Sequence, residues 1–378
     1  MKTQVRLLFL FVFIGFSSVA QQKEITEKLD KFLSEKFPTS APGASVLVIQ
    51  DEKVLLRKGY GLADIQSNKP VTPETIFRIG SITKQFTSTA ILKLSKEGKL
   101  NLDDNITKFF PMYPTQGKTV TVQHLLTHTS GIKSYTSLPA LMTTENKLKE
   151  VNVQEMVDAF KNEPFDFAPG EAYLYNNSGY FLLGAIIEKV SGKSWGEYLQ
   201  ENFFKPLKMT STFFYDPKKE IEATGYSKNP DNSYTKADYV HPSIPYSAGA
   251  LFSTVDDLWK WDKAVFDGKV LKLDLFEKAW TPLTLTNGKK ENYGYGWQIA
   301  KLQDDKVISH GGGIDGFVCY KLFVPAKKIF IVVLMNHTAV DPSALAFDLG
   351  DIVTGAADKK FETITLSKEQ AEEYVGVY

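Results

Sequence analysis

The stretch Gly316-Phe-Val-Cys-Tyr-Lys-Leu-Phe-Val324, followed by Ile329-Phe-Ile-Val-Val-Leu-Met335, decides the fold. Both runs have strand length, are rich in β-branched and aromatic residues, and are parted by a few turn-forming positions. Strand character also marks residues 294–302 and 306–310. Four successive strands with short connections predict antiparallel order. Near the other end of the chain, Ala44 to Gln50 and Val54 to Tyr60 meet at Asp51-Glu52 and predict a hairpin. Ile25, Leu29, Phe32, Leu33 and Phe37 predict an amphipathic helix over 24–37, and a further helix is expected near 341–356. From about 100 to 290 the periodicity is helical, with segments near 121–129, 152–162, 179–191, 195–205 and 255–266, while 216–241 reads as surface loop. Strands at both ends with helices between them imply an α/β (α+β) protein. An antiparallel sheet flanked by helices is built from both chain ends, and a mostly helical domain is inserted into it. The expected boundaries are 21–80 with 291–357 for the mixed domain and 81–290 for the insert. Residues 358–378 read as a tail or as the start of a truncated C-terminal domain.

The chain has 378 residues, 43% of them hydrophobic and 23% charged, enough for a large core and about two domains. With a formal net charge of zero, nothing suggests an electrostatic nucleic-acid surface, and no nucleic-acid partner is expected. The single cysteine, Cys319, excludes an intrachain disulfide and a thiolate-based metal site, and reads as a small buried hydrophobe. No cofactor or metal is called for, and nothing in the pattern sets an oligomeric state. Residues 1–20 read as a secretory signal peptide: Lys2 and Arg6, an apolar stretch from Leu7 to Phe16, then Ser18-Val-Ala20. The apolar run is too short for an ordinary membrane span, so the mature chain is expected to be exported, periplasmic or secreted from a bacterium, without a transmembrane segment.

Three short motifs carry chemistry. In Ser81-Ile-Thr-Lys84, after Phe77-Arg-Ile-Gly80, a serine and a lysine three residues apart share one helix face. A serine hydroxyl needs a base before it attacks a carbonyl, and a buried lysine can supply one once its pKa falls. In Tyr175-Asn-Asn177 a phenol can exchange protons with the serine and a leaving group, while an asparagine can both donate to and accept from a substrate amide. Tyr173 competes with Tyr175 for that role; the two-residue spacing to Asn177 favours Tyr175. In His310-Gly-Gly-Gly313 the glycines admit a substrate close to the backbone. The Gly313 and Ser81 N–H groups together would form an oxyanion hole, with His310 lining the cleft wall.

Ser81-Ile-Thr-Lys84, Tyr175-Asn-Asn177 and His310-Gly-Gly312 occur in the order and at about the separations of the serine beta-lactamase and penicillin-binding protein superfamily. The chain resembles most the branch that holds class C beta-lactamases, D-alanyl-D-alanine carboxypeptidases, D-aminopeptidases and related esterases. Val122 to Ile132, Pro169 to Gly184 and Phe204 to Thr210 extend the resemblance, which covers roughly 25–355. It implies a beta-lactamase/transpeptidase-like fold and a serine that is acylated and then released by water. Carried over residue by residue, Ser81 is the nucleophile, Lys84 its activating partner and Tyr175 the proton shuttle. Asn177, which positions the substrate amide or supports Lys84, binds substrate with His310, Gly312 and Gly313, and the N–H groups of Ser81 and Gly313 hold the oxyanion. One departure bears on the substrate. Where beta-lactamases of this branch carry Lys-Thr-Gly, this chain carries His310-Gly311-Gly312, and a histidine is mostly neutral at pH 7. Ester or D-amino-acid peptide hydrolysis therefore stands ahead of carboxylate-bearing beta-lactams. The expected partner is a small ester, amide or peptide; the alternatives are a true beta-lactamase or a non-catalytic penicillin-binding or sensor module of the cell envelope.

Other motifs read as structural. Gly192-Lys-Ser-Trp-Gly196 spells a nucleophile elbow, but the preceding residues have helical rather than strand spacing. His124 and His128 are four apart without the glutamate of a zinc protease, and are expected to support a turn ending at Gly131.

Overall fold

Six strands form the main sheet: β1 (Ala44–Gln50), β2 (Lys53–Tyr60), β3 (Gln298–Leu302), β4 (Asp305–Ile314), β5 (Phe317–Val324) and β6 (Ile329–Met335). The computed structural model describes residues 21–358 apart from Glu220 and Glu222. The expected leader, and all but the first residue of the expected tail, lie outside the described residues. The spatial order is β3-β4-β5-β6-β1-β2, and all neighbours are antiparallel. The two ends of the chain meet inside the sheet, where β1 pairs with β6 from Ala44↔Met335 to Gln50↔Ile329.

Both faces of this sheet are covered, which is why its central strands read as unbroken apolar runs. In β6, Ile329, Ile331, Val333 and Met335 join one core, and Phe330, Val332 and Leu334 join the other. The first core is closed by Leu29 and Leu33 from the N-terminal helix and by Leu345, Leu349 and Val353 from helix Pro342–Thr354. The second is closed by the inserted helices. There Phe86 of helix Thr83–Lys96 stacks on Trp261 of helix Val255–Phe266 at 4.1 Å between ring centroids. Helix Asn177–Ser191 crosses close to helix Tyr246–Gly249, because a Cβ on Gly184 would stand 2.1 Å from Ser247 Oγ. Sheet and insert are joined again where Phe77–Arg78 pairs with Phe252–Ser253.

Several boundaries differ from expectation for identifiable reasons. Residues 294–297 form a turn instead of opening a strand: Gly294 N–H bonds the Trp297 carbonyl, and Gly296 takes a φ of +84° against the backbone of Lys84. The strand expected over 306–310 runs on to Ile314, through three glycines that carry no strand propensity. The expected loop 216–241 contains a ribbon, Tyr226–Lys228 with Tyr234–Lys236.

One mismatch positions the site. β3 pairs with β4 only as far as Gln298↔Ser309, whereas β4 pairs with β5 from Ile308↔Phe323 to Ile314↔Phe317. Residues 310–314 therefore form an edge that β3 leaves open, and the 3-10 turn Gly80–Ile82 packs beside it.

Candidate active site

Gly80 and Gly312 bring the serine turn against this edge. Gly80 has a φ of +47°, and a Cβ there would meet Gly313 N at 2.6 Å and Gly313 O at 3.0 Å. A Cβ on Gly312 would meet the Ile79 carbonyl oxygen at 2.1 Å and Cys319 Sγ at 2.6 Å. Gly312 thus permits close packing. Gly313 differs from it: a Cβ there would find open space, and the residue is exposed. Its nitrogen and carbonyl oxygen lie against Gly80, the residue before Ser81.

Ser81 is half-buried in the turn, and Lys84 is fully buried one turn on. Lys84 Nζ donates to Asn177 Oδ1 at 2.8 Å and to the Ala248 carbonyl at 2.8 Å, and lies 3.0 Å from Ser81 Oγ. Burial holds the Lys84 pKa well below its ordinary 10.5. Two of its three neighbours are carbonyl oxygens that can only accept. In the neutral amine they take both N–H bonds, and the remaining lone pair faces the Ser81 hydroxyl. No side chain caps the start of this helix, and no acid stands in its first turn, so nothing there favours an ammonium.

Tyr175 supplies the second wall. Its ring centroid lies 4.7 Å from Lys84 Nζ. Its hydroxyl is buried without a fully formed hydrogen bond. Burial pushes its pKa above the ordinary phenol value, and the Ser81 hydroxyl draws it part of the way back. Tyr173 instead packs against the rings of His128 and Tyr293, 5.9 and 5.8 Å away. Asn177 opens helix Asn177–Ser191; its Nδ2 donates to Thr136 Oγ1 at 3.2 Å, which orients Oδ1 toward Lys84.

His128 is the residue that the sequence reading undervalued. It adopts φ +59° at the end of its turn and is 1% exposed. Its Nδ1 accepts the Asn176 N–H at 3.0 Å, its carbonyl accepts the Leu174 N–H at 3.1 Å, and its ring lies 4.3 Å from that of Tyr175. It ties the loop bearing Tyr175 to the turn before Gly131. The signal available was a histidine in a Thr-His-Thr-Ser-Gly turn. Ala248 carries no such signal, because it acts through its backbone. His124 does support structure, its Nδ1 accepting the Thr121 N–H at 3.2 Å, and Ser194 is the N-cap of helix Trp195–Leu199.

His310 is 2% exposed and meets Tyr293 and Tyr175. Burial first, then the nearness of Lys84, push its pKa down to about 3; the Gly311 carbonyl pulls it part of the way back, and Lys321 adds a still smaller downward push. It is neutral at pH 7. The ring expected at the cleft wall is buried beside Tyr175, with both nitrogens engaged. Among the described residues no group of three or more His, Cys, Asp or Glu is placed to hold a metal ion, and no helix is long and apolar enough to cross a membrane.

Buried neutral histidines make acid stability testable. Burial lowers His128 well below 6.5, His310 to about 3 and His337 to about 4. Each folded-state pKa is depressed, so the unfolded chain binds protons first as the pH falls below 6.5, and stability drops from there toward about 4. Each histidine contributes about 1.4 kcal/mol per pH unit inside that window. The urea midpoint is expected to be clearly lower at pH 5 than at pH 7.5; equal midpoints would refute the assignment of neutral burial.

The family profile described as Beta-lactamase matches residues 29–351. Protein flp of Staphylococcus aureus (strain N315) is 33% identical over 318 residues, which are 82% of this chain and 63% of that protein. Penicillin-binding protein 4* of Bacillus subtilis (strain 168) is 30% identical over 72% of this chain and 63% of its own length. The chain thus spans less than two thirds of these curated relatives. Among solved structures, the octameric penicillin-binding protein homologue from Pyrococcus abyssi superposes with a TM-score of 0.76 and 33% identity, covering 87% of this chain and 77% of its own. The D-amino acid amidase from Ochrobactrum anthropi SV3, complexed with L-phenylalanine amide, gives a TM-score of 0.77 and 25% identity over 88% and 99%. With the serine turn, the buried lysine and the glycine edge assembled as described, and with a profile match along most of its length, this chain belongs to the Beta-lactamase family.

Proposed function

We propose that this protein is a serine hydrolase that forms an acyl-enzyme on Ser81 and cleaves an ester or amide. The observation that carries this reading is the environment of Lys84, a buried amine whose two N–H bonds are absorbed by carbonyl oxygens and whose lone pair faces Ser81 Oγ. Ser81 passes its proton to Lys84 as Oγ attacks the substrate carbonyl carbon. The carbonyl oxygen becomes an oxyanion between the Ser81 and Gly313 N–H groups. As the bond to the leaving group breaks, Tyr175 protonates that group and recovers a proton from Lys84. Water then adds to the acyl carbon, gives its proton to Lys84, and expels Ser81 Oγ, which takes that proton back.

Neutral His310 offers no cation to a substrate carboxylate, which supports a neutral ester or a D-amino-acid amide as substrate. The amidase among the structural relatives is named for the latter chemistry. A penicillin-binding module that acylates without turnover is the second reading, supported by the names of the Bacillus and Pyrococcus relatives. A fluorophosphonate probe should label the protein, lose labelling in Ser81→Ala and keep it in Ser194→Ala, because Ser194 only caps a helix. Undiminished labelling of Ser81→Ala would sink the reading. A panel of p-nitrophenyl esters, D-amino-acid amides, D-Ala-D-Ala peptides and a chromogenic cephalosporin should favour the first two. A burst without steady turnover on every member would select the binding module.

A further inference from the structure

We propose that Tyr293 and His310 are positioning residues: a buried relay from the Tyr293 hydroxyl through the His310 ring to the Gly311 carbonyl holds the open end of β4 in register for the oxyanion, and His310 is not a receptor for a substrate carboxylate. The proposal rests on the acyl-enzyme reading for its kinetics, but its geometry is independent of turnover.

The hydrogen bonds allow one arrangement of protons. His310 Nδ1 lies 2.5 Å from the Gly311 carbonyl oxygen, which can only accept, so Nδ1 carries the hydrogen. Nε2 is then bare and accepts from the Tyr293 hydroxyl at 2.9 Å. Both ring nitrogens are consumed and one tautomer is fixed, leaving no donor for a ligand.

The segment needs such a hold. Residues 310–314 have no partner on the β3 side, and three of them are consecutive glycines, the residues with most backbone freedom to lose. Alternate residues of a strand direct their backbone groups to the same edge. Gly313 N and O face Gly80, so the Gly311 carbonyl points to that open edge as well. Tethering it fixes the peptide plane next to the one that carries the Gly313 N–H.

The other end of the relay is anchored outside β4. Tyr293 is 2% exposed, its carbonyl accepts the Leu283 N–H at 3.0 Å, and its ring lies 4.7 Å from that of His128. The segment before β3 therefore braces the oxyanion strand and touches the residue that holds the Tyr175 loop.

Tyr293→Phe removes one oxygen and tests the relay. On p-nitrophenyl acetate kcat should fall about 10- to 100-fold with KM within about twofold, the size of loss that follows a small misplacement of an oxyanion donor. A mono-p-nitrophenyl succinate ester, which adds a carboxylate, should lose the same factor. His310→Asn can still donate to Gly311 and should retain more activity than His310→Leu. Complete, slower labelling of Ser81 by the fluorophosphonate shows that each variant is folded. Nitrogen-15 NMR of the parent should show His310 as a single Nδ1–H tautomer with a hydrogen-bonded Nε2; in Tyr293→Phe the Nδ1 hydrogen should stay and the Nε2 resonance should move to that of an unbonded ring nitrogen, and an Nε2 resonance that the substitution leaves unmoved would overturn the relay. The proposal is overturned if Tyr293→Phe keeps kcat within twofold, or if the His310 variants lose only KM and only on the succinate ester. Failure of the acyl-enzyme reading would show separately, as undiminished labelling of Ser81→Ala, and the NMR arm would still decide the relay.

Discussion

Lys84→Met is expected to lower kcat/KM by about 10³- to 10⁴-fold, the range seen when a positioned proton acceptor is lost, while the protein stays folded. Methionine fills most of the volume but has neither lone pair nor N–H. Two acceptors, Asn177 Oδ1 and the Ala248 carbonyl, lose a donor, and Ser81 loses the amine proposed as its base. The accompanying pH dependence fixes the cause. Burial depresses the Lys84 pKa below 10.5, so kcat/KM of the parent should rise with pH through one ionisation lying below that value. It should then stay level past pH 10, because burial keeps the Tyr175 phenol protonated beyond its ordinary range. Stability follows the same sign. The unfolded chain holds the ammonium up to about 10.5, so it binds the extra proton between the folded-state pKa and that value. The Lys84 contribution to stability rises with pH across that window, and the methionine variant should lose that slope. A parent rate that falls as the pH rises from 7 to 9, or a Lys84→Met variant within tenfold of the parent, would remove Lys84 from its role.

The parts of this molecule that were legible in its sequence are those whose chemistry is written in side chains. Largely apolar runs at 317–324 and 329–335 announce strands, and strands stand there; that both faces are covered is seen only in the fold. Ser81 and Lys84 could be paired because a helix turn sets their spacing. What escaped was carried by backbone or by contacts distant in sequence. The open edge at 310–314 depends on where β3 stops, and β3 stops because Gly294 and Gly296 bend the chain against helix Thr83–Lys96. Ala248 contributes only a carbonyl. His310 carried a clear motif but an ambiguous direction: on a strand it could face the cleft or the layer beneath, and Tyr293, 17 residues earlier, decides. His128 reads as a turn residue and is one, but the turn it holds is the one behind Tyr175.

A second feature of the β4–β5 pair carries the largest stability effect expected here. Lys321 lies opposite His310 in the register, alone in charge within the apolar run 317–324. Its ammonium donates to Asp262 Oδ1 of helix Val255–Phe266, and both side chains are 2% exposed. Burial works against both charges, pushing Asp262 up and Lys321 down, and each partner pulls the other back toward ionisation. Two ions taken from water gain little net stability from each other, but one left alone in the interior is costly. Asp262→Leu or Lys321→Met alone should therefore destabilise the fold by about 3–5 kcal/mol, measured by urea unfolding, because either leaves an uncompensated buried charge. The double variant, which buries two apolar chains of similar volume, should recover most of that loss and fall within about 1–2 kcal/mol of the parent. Asp262→Leu should also affect catalysis more than Lys321→Met does at matched stability. It leaves a cation beside His310, whereas the lysine replacement removes one. Additive losses in the double variant would show that the two residues stabilise the fold separately, and that the ion pair between sheet and helix is not the unit that matters.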